Sequence, residues 1–258
     1  MEKHKLISLL QSKDYERVYI HNEIFSELQN TNQFKSATNI AFAYCYYCLI
    51  CYLYRYCKYG NEYWFTKETL IEVLGFASNN KTFDYLIKKN GLLDQLGLTE
   101  TLSDFPIQSK VEDQFVSFQM YKDLNDNEIF ALPHKYTIKK PIKGFSRYED
   151  DVFDGTFYDI SNTHLFSIHR FIDIISKPDL GTIGFYLFQY LLYSCAKFPN
   201  GYFVTLITLS ETLSLSTSTI QKYINNLEKT GNIRIERPKH YLKEGEWKRY
   251  ANTYFINY

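Results

Sequence analysis

One segment, from Thr205 to Arg237, constrains the fold of this chain more than any other stretch. Leucines four residues apart predict a short helix from Thr208 to Leu213. Residues 214–216 (Ser-Leu-Ser) suit a tight turn, because serine side chains hydrogen-bond nearby backbone groups. A second, longer helix is predicted to run as far as Thr230, where the glycine that follows can end it in a left-handed conformation. The pattern therefore predicts two helices joined by a short turn.

The longer helix has two chemically different faces. Ser216 or Thr217 can cap its N-terminus, and its buried stripe is predicted to comprise Ile220, Tyr223, Ile224 and Leu227. The opposite face carries Ser218, Lys222, Asn225 and Lys229, flanked by Gln221 and Asn226. No acid occurs on this helix before Glu228. Since a face that serves only solubility usually includes Asp and Glu, this polar and basic face is a candidate interface.

A strand is predicted directly after the helix pair. Ile233 and Ile235 alternate with Arg234 and Glu236, as in a half-buried strand. Two helices, a tight turn and a following strand are the order of elements in a helix-turn-helix with a β-wing. We interpret the chain as organised around this unit.

The charge is segregated along the chain. Lys+Arg 29 and Asp+Glu 29 balance, so the whole protein offers no net attraction to a polyanion. From residue 214 to the end, however, eight bases face four acids, a local net charge of +4. Residues 104–159 carry seven bases and eleven acids, a local net charge of −4. The basic part coincides with the second helix and the predicted wing.

Four short segments recur in the same order about 140 residues further along the chain, which indicates an internal repeat. The matched ranges are 17–22 with 156–162, 38–44 with 181–187, 65–76 with 206–216, and 88–93 with 228–233. Each unit is predicted to consist of a strand, a long buried helix, a helix-turn-helix and a wing, in that order. The sequence thus predicts an α+β, mainly helical protein with two winged helix-turn-helix domains in an internal pseudo-twofold repeat. The predicted boundaries are 1–121 for the N-terminal domain with its N-terminal helix, 122–155 for a linker, and 156–258 for the C-terminal domain.

The predicted linker contains a proline-containing basic stretch, 138–145, and an acidic run, 148–155. The acidic run has two interpretations: a solvated loop, or a segment that competes with a nucleic acid for a basic surface of the same molecule.

A helix with such an outward face can enter the major groove of DNA and present its N-terminal residues to base edges. Asn and Gln pair with adenine and Lys pairs with guanine, so the candidate base contacts are Ser218, Gln221, Lys222 and Asn225. Thr217 and Thr219 suit phosphate oxygens near the helix N-terminus. The candidate phosphate or minor-groove contacts are Lys229, Arg234, Arg237, Lys239, Lys243, Lys248 and Arg249. The alternative is a solvated helix on a winged helix that binds proteins.

The first unit has its own, weaker set of candidates on a helix predicted from Ser78 to Lys89. Phe83, Leu86 and Ile87 form its predicted inner stripe. The residues predicted to face away and contact DNA are Asn79, Asn80, Lys81, Tyr85 and Lys88. A dimerisation or packing role is the alternative for this unit.

Residues 227–234 (Leu-Glu-Lys-Thr-Gly-Asn-Ile-Arg), followed by 252–256 (Asn-Thr-Tyr-Phe-Ile), resemble the winged-helix modules of plasmid and phage replication initiators. The resemblance implies a non-enzymatic, sequence-specific protein that binds double-stranded DNA at repeated origin sites. It also implies a second copy of the chain or the replication machinery as further partners. Transcription regulators share the helix part, so transcriptional regulation is the alternative. A protein-interaction scaffold built on winged helices is an alternative of another class.

Enzymatic function is not expected. The chain has no phosphate-binding G-x-x-x-x-G-K-[ST] loop. His164 and His169 lie five residues apart, which matches neither a rolling-circle nickase histidine pair nor H-E-x-x-H. We therefore expect no catalytic residues, no cofactor and no metal.

An uncharged apolar run extends from Ala37 to Tyr54 and approaches the length of a membrane span. Its five tyrosines favour a buried central helix, and no signal peptide precedes it. Cys45, Cys48, Cys51 and Cys57 lie on or just after this run. Their spacing resembles an iron–sulfur ligand series, but small buried apolar residues are the preferred interpretation. Five cysteines in a non-membrane chain fit a reducing cytoplasm.

Overall fold

The computed structural model of the protein describes residues 1–60, 64–112, 115–125, 135–148, 153–238 and 251–257. The described chain is α+β, with more residues in helices than in strands. Its helices are α1 Lys3–Leu10, α2 Ile24–Gln29, α3 Ala37–Arg55, α4 Lys67–Val73, α5 Asp84–Ile87, α6 Leu92–Gln95, α7 Ile168–Ile175, α8 Gly181–Lys197, α9 Leu206–Leu213 and α10 Thr217–Lys229. Its strands are β1 Arg17–His21, β2 Thr99–Leu102, β3 Pro106–Glu112, β4 Phe115–Met120, β5 Ile138–Pro141, β6 Thr163–Ser167, β7 Tyr202–Val204, β8 Ile233–Glu236 and β9 Asn252–Ile256.

The long apolar helix α3 lies in the centre of the core. Every residue from 39 to 54 is buried, and the helix packs against α8, α2, β1 and β5. Its length and hydropathy would suffice to cross a membrane, but 89% of its apolar window is buried inside the fold. A helix that is apolar all round needs such burial, so the prediction of a buried central helix is confirmed.

The antiparallel strand pair β1–β6 joins the first half of the sequence to the second. Val18 lies opposite Phe166, and Ile20 lies opposite His164. The repeat had matched 17–22 to 156–162, which predicts a strand there, but residues 156–162 form turns and irregular structure. That prediction is wrong. The strand that pairs with β1 starts at Thr163, directly after the range that the sequence similarity covers.

Residues of the predicted linker belong to a sheet. β5 pairs antiparallel with β2, with Lys139 opposite Thr101. The Lys139 ammonium is buried and lies 2.6 Å from both carboxylate oxygens of Asp94. This ion pair and the strand pairing attach residues 138–141 to the first half of the chain. The domain boundaries proposed from the sequence stay a prediction.

The last part of the chain forms a three-stranded antiparallel sheet in the order β7-β9-β8, which packs against α8 and α10. Ile233 and Ile235 of β8 are buried, as their alternation predicts, and Tyr254 of the central strand β9 is fully buried. The sheet therefore combines a strand that precedes α9 in the sequence, β7, with two that follow α10. The last strand, β9, lies between β7 and β8.

Candidate nucleic-acid interface

Side-chain caps begin both helices of the pair α9–α10, and the Ser216 cap of α10 is one that the sequence predicts. Thr205 accepts a hydrogen bond from the Thr208 amide at 3.0 Å, and Ser216 accepts one from the Thr219 amide at 3.2 Å. Ser214, in the turn, has φ +52°, which reverses the chain between the helices. Gly231 has φ +72° and follows the end of α10, as predicted. Local side-chain chemistry therefore sets both ends of α10.

The buried and exposed faces of α10 are those that the periodicity predicts, with one exception. Ile220, Ile224 and Leu227 are buried, whereas Tyr223 is only half-buried. The amide of Asn226 donates to the Asp179 carbonyl at 2.8 Å, which fixes the helix against the connection between α7 and α8. The rotation of α10 about its axis is thus fixed by packing and by this bond.

The outward face of α10, by which we mean Thr217, Ser218, Lys222, Asn225 and Lys229, is exposed throughout. Within the described part of the chain, neither of its lysines forms an ion pair, and the Lys222 ammonium lies 5.4 Å from the centre of the Tyr223 ring. An uncompensated basic face of this kind attracts phosphate.

Two of the candidate contacts near this face are already engaged with neighbours. Gln221 is half-buried and donates from Nε2 to Oδ1 of Asn225 at 2.9 Å. The Thr219 hydroxyl lies 2.7 Å from the Ser216 hydroxyl. The bond between Gln221 and Asn225 uses the Gln221 nitrogen and the Asn225 oxygen, so the Asn225 amide nitrogen and the Gln221 amide oxygen can still serve as donor and acceptor for a base edge.

The wing arginines are less available than the sequence suggests. Arg234 forms an ion pair with Glu236, and its guanidinium carbon lies 3.9 Å from the centre of the Phe255 ring. Arg237 binds both carboxylate oxygens of Glu228, at 2.9 and 2.6 Å. The hydrogen bond from Arg237 lowers the pKa of Glu228, and the same bond raises the pKa of Arg237. Both arginines therefore carry a carboxylate beside them, which reduces the positive charge that they offer to a phosphate.

The sequence could not reveal the second of these ion pairs. Glu228 and Arg237 are nine residues apart and meet because the chain reverses between α10 and β8. The other wing candidates, Lys239, Lys243, Lys248 and Arg249, lie outside the described residues.

The first unit differs from the sequence prediction. Instead of one helix over 78–89, the chain forms a 3₁₀ turn, Lys81–Phe83, and the four-residue helix α5. The Asn80 side chain accepts from the Thr82 amide at 2.9 Å and so favours the tight turn over a regular helix. The helical interpretation was wrong because it followed the spacing of Phe83, Leu86 and Ile87, which are all buried, and not the local hydrogen bonding.

The five candidate contacts of this unit are not all on one free surface. Asn79, Lys81 and Lys88 are exposed. Tyr85 instead turns towards the start of α3: its hydroxyl lies 2.9 Å from Asn39 Nδ2 and accepts from the Lys35 amide at 3.2 Å. The prediction that Tyr85 faces away from the protein is therefore wrong, since its hydroxyl is used to hold the N-terminus of α3.

The chemically reactive residue types are mostly in the core. His164 lies 2.7 Å from the Tyr44 hydroxyl and 3.0 Å from Asn22 Oδ1, and burial lowers the pKa of its imidazole to about 3. Burial raises the pKa of the Cys57 thiol to about 11. Cys45, Cys48 and Cys51 are fully buried on α3, as small apolar residues would be. No group of three or more His, Cys, Asp or Glu side chains is placed to hold a metal ion among the residues that the structure describes.

Comparison with known proteins yields no relative. No family model matches the chain, and neither a curated protein nor a solved structure does.

Proposed function

We propose that the protein is a non-enzymatic, sequence-specific double-stranded DNA-binding protein, with α10 as its recognition helix. The observation that carries the proposal is the outward face of α10. It is exposed, polar or basic, and free of acids, and it lies on a helix whose rotation is fixed by a buried stripe and by the bond from Asn226 to Asp179. A rigid helix with such a face suits insertion into a major groove.

The proposed architecture is a pair of winged helix-turn-helix units related by an internal repeat. In support, α9, α10, β8 and β9 follow one another in the order of such a unit. In the first half, α4 begins after a Thr66 cap, as α9 begins after Thr205. The packed pairs β1–β6 and α3–α8 join corresponding elements of the two proposed units. The short α5 is the element that fits this architecture least well.

Within this class, we propose replication initiation or maintenance of a plasmid or phage, on the resemblance carried by residues 227–234 and 252–256. Transcriptional regulation is the other role for the same DNA-binding surface. Two linked units would read two half-sites, and their linkage raises the effective affinity.

The test is selection from a pool of random duplexes by the purified full chain at moderate salt, followed by salt titration of the best site. The proposal expects an enriched motif, two-part or repeated, whose affinity falls steeply as salt increases. Absence of enrichment, or equal weak binding to all duplexes, would contradict it.

A protein-interaction scaffold is the second candidate function, and the wing favours it. Arg234 and Arg237 are each paired with a glutamate, so this surface presents alternating charges and not a uniformly basic strip. A surface with both signs of charge can be complementary to a protein partner, whereas a polyanion favours a uniformly basic surface. Failure of the duplex selection would make this candidate the first to test.

A further inference from the structure

A cleft of about 320 Å³ lies between α7, α8, β6 and β9, and it is separate from the outward face of α10. Its walls combine apolar and polar side chains. The lining residues used below are Arg170, Asp173, Phe188, Gln189, Leu192 and Ile256. A volume of this size is at the lower end of the range of small-molecule sites.

One side chain that lines the cleft is polar and buried. Gln189 is 1% exposed. Neither its Oε1 nor its Nε2 atom has a hydrogen-bond partner among the described residues. Buried polar groups are almost always paired, and an unpaired one is costly because it has lost its contacts with water. A primary amide that lines a cleft and lacks partners is therefore a docking group for a ligand that supplies them.

The charged side chains that line the cleft are held by neighbouring residues of the protein. The Arg170 guanidinium donates to Asn232 Oδ1 and to the Asn257 carbonyl, both at 3.1 Å. Asp173 forms an ion pair with Lys3. Asp173 is therefore compensated by a cation, and His169 lies beside Asp14. Arg170, in contrast, is held by two neutral oxygens and keeps its positive charge.

The surface of the cleft favours a ligand that has an apolar part. Phe188 and the aliphatic side chains of Leu192 and Ile256 provide apolar contact. The Gln189 amide has one acceptor and two donors, so its complement is a group with an adjacent donor and acceptor.

From these observations we propose that the cleft binds a small molecule with an apolar ring and an adjacent donor–acceptor edge that pairs with the Gln189 amide, as a nucleobase or an aromatic carboxamide would. The site goes beyond the proposed DNA-binding function and does not depend on it.

The experiment is calorimetric titration of the full chain, without DNA, with adenine, uracil and nicotinamide. Anisole, which is planar but has no donor–acceptor edge, is the comparison compound. The proposal expects at least one of the three to bind at concentrations below about 1 mM, and anisole to bind at least tenfold more weakly. Binding of adenine or uracil alone would identify a nucleobase site, and binding of nicotinamide alone a carboxamide site. No binding by any of the three compounds would overturn the proposal.

Substitutions of Gln189 test whether ligand binding in the cleft depends on its side-chain amide. Gln189→Leu should reduce affinity at least tenfold and leave the melting temperature unchanged or raised, because it removes a buried amide that lacks partners. Gln189→Met, which keeps the length of the side chain, serves if the leucine variant does not fold. Gln119→Leu makes the same chemical change at an exposed position of β4 and should bind like the parent chain. Parental binding by the Gln189 variants, or a melting temperature lowered by several degrees in both of them, would overturn the assignment.

Discussion

The guanidinium of Arg237 shows how one neighbour changes what a basic residue can do. Glu228 binds it through two hydrogen bonds, and both side chains remain partly exposed. Exposed ion pairs contribute little to stability. Their effect on function is larger here, because the carboxylate competes with any phosphate for the same donors.

Glu228→Gln tests this competition. Removing the carboxylate charge should strengthen binding to the selected duplex by about twofold to tenfold and increase the salt dependence by about one phosphate contact. Affinity measured by fluorescence anisotropy at several salt concentrations gives both quantities. Glu2→Gln, at the exposed N-terminus, is the charge-matched control and should change neither. Weaker binding by the Glu228 variant would show that the ion pair organises the interface and does not compete with it.

Lys222 and Asn225 are the residues on which base recognition is predicted to depend. A well-formed side-chain contact to a base contributes about 1–3 kcal/mol of discrimination. The double variant Lys222→Ala/Asn225→Ala should therefore lose at least about 30-fold in affinity for the selected site. Binding to unrelated duplexes should fall much less.

Lys5→Ala/Asn30→Ala removes the same two residue types from exposed positions on α1 and after α2. Competition binding with specific and unrelated duplexes should distinguish the two double variants. Equal losses on both kinds of duplex would show that α10 makes only backbone contacts.

At the scale of elements, helix positions are predicted correctly where a capping residue and a regular apolar spacing occur together. Ser36, Thr66 and Ser216 each accept a hydrogen bond from the backbone amide three residues ahead, and α3, α4 and α10 begin directly after them. These are local effects, so the sequence could predict them. Strand partners and ion pairs between distant residues are set by tertiary packing, and for that reason β6 and the Arg237–Glu228 pair could not be predicted.

The cap of α10 can be tested directly. Ser216→Ala should lower the free energy of unfolding by about 1 kcal/mol, whereas Ser216→Asp should retain the cap. Ser8→Ala on the exposed side of α1 is the control and should stay within about 0.5 kcal/mol of the parent chain. Urea denaturation followed by circular dichroism measures all three. If Ser216→Ala behaved like the control, the cap would not contribute to stability.

At the scale of the whole molecule, a buried histidine links stability to pH. The pKa of His164 is lowered from 6.5 to about 3, mainly by burial and also by the nearby His21. The unfolded chain therefore binds a proton at this residue at a higher pH than the folded chain does. Stability from this group is complete above about pH 6.5 and is lost as the pH falls towards 3.

Between about pH 6.5 and pH 4.5, the free energy of unfolding should fall by up to about 1.4 kcal/mol per pH unit because of this histidine. His164→Gln should flatten the profile in this window, and His4→Gln, which changes an exposed histidine, should leave it unchanged. Denaturant titrations at several pH values provide the measurement. An unchanged slope in His164→Gln would show that another group causes the dependence.

The pairing of β1 with β6 has a consequence for how the protein is made. The residues of β1 leave the ribosome early, but their hydrogen-bonding partners, Thr163–Ser167, are synthesised only after most of the first half is complete. Until then, β1 has an unpaired edge and α3 lacks the cover of α8. Exposed strand edges and apolar surfaces favour aggregation. We therefore expect the nascent chain to be most prone to aggregation before residues 163–197 have been translated.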